Sequence, residues 1–582
     1  MKKTFFCVAL SVATALGGLL ASSVRAEDVQ IDGKSYRKIS VAEYRDKMKG
    51  GWIGQIAGVC WGAPTEFRFC NRIMPEDALP VWKPEMINDA FGQDDLYVEM
   101  TFLRTMEEYG LDVSIRQAGI DFANSEYPLW HANVCGRKNL RSGIAPPNSS
   151  RPEFSHCADD IDYQIESDFS GLISPGLPNN AVLMGEKFGR LMNYGDGMYA
   201  GQFVGAMYAE AFFETDVVKI IKKALDAIPA GSQYAEMVRD VLKWKEEYPD
   251  NFEDCWRKIN EKYHENPNYR QWSCSGVDSD FNIDVKINGA YVLVGLLYGN
   301  GDLDETIKIA TRCGQDSDCN PSSAGGVLFT TLGFSALPAR FSEKLDETKV
   351  FNHTAYNFPA LLDVCEKLAT QAVEKEGGFV REENGENFYY IPKTEIKPSA
   401  LTSCAAPTDK PIEGPEAMFS EEELAKLKFR SYSDDGALDK FFFGFRASHM
   451  GPDMNPGYRE EYRGRRNVFM THPESREVGA VLSGKATAPQ NSGLRFFVSH
   501  HLSDDQSGDY ELIVRIDGKE RLRTVVSKDS VAADGWQEIS IPFAQEGEDA
   551  SSDSKEYFIE IVNQPNGWSW EAMFIADMCF CL

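Results

Sequence analysis

Gly314-Gln315-Asp316-Ser317-Asp318-Cys319-Asn320-Pro321-Ser322-Ser323 is the stretch on which the reading of this chain turns. An apolar run precedes it at 290–298 (AYVLVGLLY). Leu303, Ile307, Ala310 and Cys313 then recur on one side of a helix, and small residues follow through Gly326. The pattern predicts a turn beside packed helices, carrying two carboxylates one residue apart. Burying two like charges is costly unless a cation or strong donors neutralise them. Carboxylates, hydroxyls and backbone oxygens are hard ligands that suit Mg²⁺ or Ca²⁺. From these residues alone the pair is either a metal ligand set or an acidic helix cap at the surface.

A second acidic turn lies far upstream, at Gly92-Gln93-Asp94-Asp95. Asp95 and Glu99 are four apart and share a helix face, where they repel without a cation. A third acidic cluster spans 159–169, with Asp162 and Glu166 again four apart. It reads equally as a base, a support for ligands or a solvated helix face. Between 50 and 62, Gly50, Gly54, Gly58 and Gly62 recur every four residues. That spacing lets two helix backbones approach closely, and packing is the reading we favour for these glycines. Glu66 follows Ala63-Pro64 at the predicted helix exit.

The run from Gly50 to Glu66 (GGWIGQIAGVCWGAPTE) resembles the opening motif of the ADP-ribosylglycohydrolase family. Asp94-Asp95 resembles its first metal motif and Asp316-Ser317-Asp318 its closing one, in the family's order, over roughly residues 42–345. The resemblance implies an all-helical fold holding two Mg²⁺ ions and cleavage of ADP-ribosyl or related ribosyl bonds. It also implies that Glu66 lies near metals and substrate. Four positions depart from the pattern. Gly185 stands where an arginine is expected, and Met198-Tyr199-Ala200-Gly201 where histidine is frequent. Gln93 and Cys319 replace frequent hydroxyl residues. A thiol suits a softer metal than Mg²⁺, so fewer protein ligands are expected than in the strongest family matches.

Residues 1–26 read as a signal peptide: Lys2-Lys3, an apolar run over 5–20, and a small-x-small site at Val24-Arg25-Ala26. The apolar run is short for a membrane span, and no later stretch is predicted to span. An exported protein is expected, in the periplasm, at the cell surface or secreted. Removing 1–26 takes Lys2, Lys3 and Arg25 and no acid, so the formal net charge goes from -29 to -32. Such a balance argues against nucleic-acid partners, yet allows a nucleotide-like ligand beside bound cations. Disulfides are permitted in that compartment, but their pairing is not legible. No zinc motif, P-loop or Gly-x-Ser-x-Gly elbow stands out.

The expected organisation is multidomain: an all-α domain over 27–395, a linker over 396–425 with several prolines, and an all-β sandwich, jelly-roll-like, over 426–582. Strand patterning at 494–498, 510–516, 522–526, 538–542 and 557–562, with a hairpin turn at Asp517-Gly518, carries the last part. The segment 568–577 weakly resembles the closing strand of galactose-binding-like modules, and bracing of the helical domain is its first reading. An irregular region is expected over 127–133 and 139–155.

These readings converge on a metal-dependent hydrolase acting on an N- or O-glycosidic bond of a ribosyl-containing substrate or other small glycoside. Asp94, Asp95, Asp316 and Asp318 are the expected ligands of one or two Mg²⁺ ions, with Ca²⁺ or Mn²⁺ as alternatives. Glu66 is the expected proton-transfer residue, with Glu166 as its alternative. Trp130, His131, Asn133, Asn180 and Asn282 are the expected substrate contacts. The competing class is a non-catalytic glycan-binding or surface scaffold protein.

Overall fold

The computed structural model describes residues 27–428, 438, 442, 444–451, 454, 456–501, 508–544, 553–567 and 570–581. The expected signal peptide lies outside them. Among the described residues, no helix is long and apolar enough to cross a membrane.

The helical part begins and ends in a sheet. Strands run in the order Glu27–Ile31, Lys34–Ser40, Glu386–Pro392, Phe379–Glu383, all antiparallel. This corrects the all-α expectation: residues 27–40, taken for a lead-in to the first helix, are strands. Tyr36, Phe388 and Tyr390 give them an apolar face.

Ser40 then caps the opening helix, Val41–Gly62, its Oγ accepting from Glu43 N–H at 3.1 Å. From Gly50 onward every residue of this helix is buried. It lies against Cys319–Leu332, and the glycine period sets the closeness. A Cβ on Gly50 would stand 2.9 Å from Phe329 O, and on Gly54, Gly58 or Gly62 it would overlap Gly325 O, Pro321 O or Ser317 O. The helix of the 290–298 run, Val285–Tyr298, is buried on all sides, as its unbroken apolar pattern requires. Helices Ile115–Ala123 and His131–Arg141 were not foreseen; the second overlaps both stretches read as irregular. Its start is supported from outside, because Asp162 accepts from the N–H groups of Ala132 (3.1 Å) and Asn133 (2.9 Å).

Residues 396–428 run along the helical part and are bonded to it throughout. Thr402 N–H donates to Tyr199 Oη at 2.9 Å, Cys404 Sγ to Asp159 at 3.2 Å, and Arg151 to Asp409 at 2.8 Å. Arg116 forks onto Glu423 and also donates to the carbonyls of Glu416 and Met418.

The C-terminal part holds two five-stranded antiparallel sheets. One runs Lys519–Val526, Tyr510–Ile516, Ser554–Pro565, Ala480–Pro489, Phe445–Ser448; the other runs Gln537–Pro542, Gly493–His500, Met573–Cys581, Arg465–Thr471, Gly457–Tyr462. Leu482, Leu512, Val514 and Ile561 of the first share one apolar cluster with Phe469, Leu494, Phe496, Ile541 and Ile575 of the second. Asp517 and Gly518 take φ of 50° and 74° at the hairpin, a turn their residue types favour.

Candidate metal centre and active site

The close approach of the two helices delivers the site. The opening helix ends at Gly62, passes through the short turn Ala63–Thr65 and reaches Glu66. There it is tied to the 314–318 turn. Phe67 N–H donates to Gln315 O (3.1 Å), Gln315 N–H to Phe69 O (3.3 Å), and the hydroxyls of Thr65 and Ser317 meet at 2.9 Å. Gly314 and Gln315 both adopt positive φ, 81° and 55°. The Gln315 side chain holds that turn: it accepts from Asn282 N–H (2.8 Å) and donates to Asp280 O (2.9 Å).

The turn presents Asp316 and Asp318, with Asp318 as N-cap of Cys319–Leu332. Facing them is the first turn of Asp94–Tyr109, with Asp94 and Asp95. Cys319 Sγ closes the gap, donating to Asp95 Oδ1 at 3.0 Å, so the two acidic turns meet as the resemblance implied. Ligating atoms of Asp316, Asp318 and Cys319 lie within 4.8 Å of one another. Asp95 Oδ2 and Asp316 Oδ1 are buried with no hydrogen-bond partner. Burial first, and then neighbouring carboxylates, raises the pKa of Asp95 and Asp316 well above the usual range. Burial and then Asp318 push Asp94 to about 6. Glu66 reaches the surface, yet desolvation and then Asp318, Asp94 and Asp95 raise its carboxyl strongly. Crowded, partnerless oxygens of this kind fit a hard divalent cation. The thiol of Cys319 is the one soft donor among them.

Of the other acids at this centre, Glu99 and Asp168 have partners, and Glu166 is only half satisfied. Glu99 accepts from Gln55 Nε2 (2.6 Å) and Phe169 N–H (2.8 Å), which offsets part of the cost; burial, then Asp168 and, less, Asp95 still raise its pKa well above the usual range. Asp168 accepts from Tyr208 Oη (3.1 Å) and Ser323 Oγ (3.3 Å). Glu166 accepts from Asn133 Nδ2, and its Oε2 is buried without a partner. Burial and then Asp162 raise it, and Asp94 and Asp95 contribute.

The remaining expected contacts separate. Asn133 belongs to this wall through Glu166. His131 Nδ1 instead meets Cys274 Sγ at 2.9 Å, and the Trp130 ring packs on Trp570 of the C-terminal part, with centroids 6.1 Å apart. Asn282 stands behind the turn: its Nδ2 meets His264 (3.3 Å) and its Oδ1 accepts from Asp284 N–H (3.1 Å). Asn180 donates to Ser174 Oγ at 2.7 Å, away from the acids. Both amides are spent on neighbouring structure, Asn180 on a side-chain hydroxyl and Asn282 on His264 and a backbone N–H, which a residue type alone does not reveal. Gln55, Asp168 and Tyr208 were missed. A lone glutamine in the otherwise apolar 50–62 helix was the available signal, since a buried amide must find a partner.

The buried acids make stability pH-dependent. Burial raises Asp162 to about 7 and Asp168 to about 8. Unfolded, both titrate near ~4, so the folded chain binds more protons between those values. Stability therefore falls as pH rises through that window. In chelator, Tm is expected to drop from about pH 5 to about pH 8, and Mg²⁺ is expected to lift the alkaline end most. A flat thermal profile in chelator would contradict this electrostatic picture.

The comparisons agree with the site. A family model described as ADP-ribosylglycohydrolase matches residues 40–376, more than half of the 582-residue chain. No curated protein matches. Among solved structures, one described as an "ADP-ribosylglycohydrolase-related protein complex" is 14% identical, with 56% of this chain and 97% of that chain covered and a TM-score of 0.36. An apo cyclase from Fischerella sp. is 11% identical over 23% of this chain and 71% of its own, at 0.16. A structure described as carbohydrate-binding modules from the beta-sandwich super family is 13% identical over 27% and 66%, at 0.17. The assignment rests on the family model, whose span takes in the opening helix, both acidic turns and the helix that follows Asp318: the chain belongs to the ADP-ribosylglycohydrolase family.

Proposed function

We propose that this protein is an exported, metal-dependent glycoside hydrolase that cleaves an N- or O-glycosidic bond of a ribosyl-containing or other small sugar substrate. The observation that carries the reading is the meeting of Asp94-Asp95 with Asp316-Asp318, leaving buried oxygens of Asp95 and Asp316 without partners. Asp94, Asp95, Asp316 and Asp318 would hold one or two Mg²⁺ ions. A bound Mg²⁺ would supply Lewis acidity towards sugar oxygens and lower the pKa of a bound water.

Glu66 is assigned the proton transfer. Burial and the neighbouring Asp318, Asp94 and Asp95 raise its pKa and favour its protonated form, and its exposure leaves it open to substrate. Glu166 is deeper and already engaged by Asn133, so it orients the wall. Glu66→Gln is expected to lower kcat by about 10²-fold or more and to remove one limb of the pH–rate profile. Glu166→Gln is expected to keep both limbs. Retention of both limbs in Glu66→Gln would move the assignment.

The sugar is left open between ADP-ribose, nucleoside and plain glycoside. Gly185, where the family resemblance leads one to expect arginine, has Gln202 filling the space beyond its Cα, and Gln202 is bonded to Val182 O at 2.9 Å and Ser399 Oγ at 2.8 Å. This favours a substrate other than ADP-ribose. The signal-like 1–26 segment supports export. The apolar cluster common to both C-terminal sheets supports a jelly-roll-like sandwich, and the Trp130–Trp570 contact supports its bracing role. The test is hydrolysis of a panel of ADP-ribosyl peptides, nucleosides and aryl glycosides, with Mg²⁺ and with chelator. Mg²⁺-stimulated cleavage of at least one class is expected; glycan binding without any cleavage would favour the scaffold class.

A further inference from the structure

A second group of metal-ligating side chains lies apart from the aspartates. Cys135 Sγ and Cys157 Sγ are 3.4 Å apart, and ligating atoms of Cys135, His156 and Cys157 lie within 4.8 Å of one another. Cys157 also hydrogen-bonds Cys274, which belongs with His131 and Asp160 to an adjoining group of the same tightness. Three thiols and two imidazoles thus lie in two adjoining groups drawn from three segments: the helix His131–Arg141, the 151–161 loop and the 271–284 loop. None of these residues serves the carboxylate site, and their separation in sequence hides them from motif spacing.

We propose that Cys135, His156 and Cys157 hold one thiophilic divalent ion such as Zn²⁺, with Cys274 of the adjoining group moving in to close a tetrahedral site. Sulfur and imidazole nitrogen are the donors zinc takes in closed four-ligand sites. Thiolates around zinc, with bonds of ~2.3 Å, stand roughly 3.8 Å apart, so the 3.4 Å spacing of Cys135 and Cys157 needs little adjustment, while Cys274 has to close on that pair. On binding, each coordinating thiol gives its proton to solvent and no electron is transferred. His131 Nδ1 against Cys274 Sγ, and Asp160 accepting from Cys274 N–H at 3.2 Å, orient that ligand from behind. His156 and Cys274 both reach the surface, which gives the ion a way in. A disulfide is the competing fate of two thiols in an oxidising compartment, but it consumes two sulfurs and strands the third. The ion would clamp the start of His131–Arg141, and so the Asn133 that supports Glu166 and the helix end that Asp162 caps.

The test is zinc content of the full chain prepared without reductant and dialysed against Zn²⁺ alone. About one Zn²⁺ per chain beyond what the carboxylate site takes up is expected: it is retained in Asp316→Asn and lost in Cys157→Ala. Retention in Asp316→Asn separates this site from the carboxylates. Should Cys157→Ala not fold, anomalous diffraction at the zinc edge from wild-type crystals decides, with a peak expected among the three sulfurs. A Cys135–Cys157 or Cys157–Cys274 disulfide in non-reducing peptide maps, zinc content unchanged by Cys157→Ala, or no peak at the sulfurs would each overturn the proposal.

Discussion

Asp316→Asn is expected to cost about a hundredfold or more in turnover, and to erase the rise in Tm that Mg²⁺ gives the native chain. Asp316 Oδ1 is buried and partnerless, and burial followed by the charge of Asp318 raises its pKa. The substitution keeps size and removes one anionic ligand, so ion affinity and turnover should fall together. In chelator the variant should melt at or above the wild-type temperature, because one of several crowded carboxylates is gone. Asp318→Asn separates charge from capping. Asn caps a helix about as well as Asp, so loss of the Mg²⁺ response there reports ligation. An acidic cap without a metal role would give a modest stability change and an ion response equal in wild type and both variants. Thermal melts with chelator and with saturating Mg²⁺ decide between the two.

Gly62→Ala is expected to destabilise the fold by about 3 kcal/mol or more and to weaken ion binding with it. Its new Cβ would overlap Ser317 O and press on Asp318 Cα, backbone on both sides, with no flexible side chain to yield. Gly58→Ala meets Pro321 O in the same way, one turn earlier. Relief requires the two helices to part, and parting moves the turn that carries Asp316 and Asp318. Gly92→Ala is the control. Its Cβ would meet Asn352 Nδ2 alone, at 3.5 Å, so its stability should stay near wild type. Denaturant melts of the three variants check this. A Gly62→Ala protein as stable as Gly92→Ala would mean that the close approach is not needed.

That coupling explains how much of the molecule could be read beforehand. The four-residue glycine period states a backbone approach directly, because only a missing Cβ permits it. The two acidic turns stand out because paired aspartates near apolar helices demand neutralisation. The C-terminal strands follow from period-two patterning, and 510–516 matches its strand end to end. What escaped reading depends on partners remote in sequence. Asn180 and Asn282 looked like cleft residues, but each spends its amide on nearby structure. Helix His131–Arg141 is started by Asp162, and residues 27–40 form strands through a sheet completed by 379–392. Cys157 and Cys274 meet across more than a hundred residues, and no local spacing announces them. Glu99 shows the reverse case: its spacing from Asp95 announced a repulsion that persists, and Gln55 with Phe169 N–H offsets only part of it.

The most direct measurement is anomalous diffraction from crystals soaked in Mn²⁺, a scattering substitute for Mg²⁺. The account expects one or two peaks bounded by Asp94, Asp95, Asp316 and Asp318, absent in Asp316→Asn. Crystals with no peak there, and with the Asp94-Asp95 and Asp316-Asp318 carboxylates turned away from one another, would contradict it.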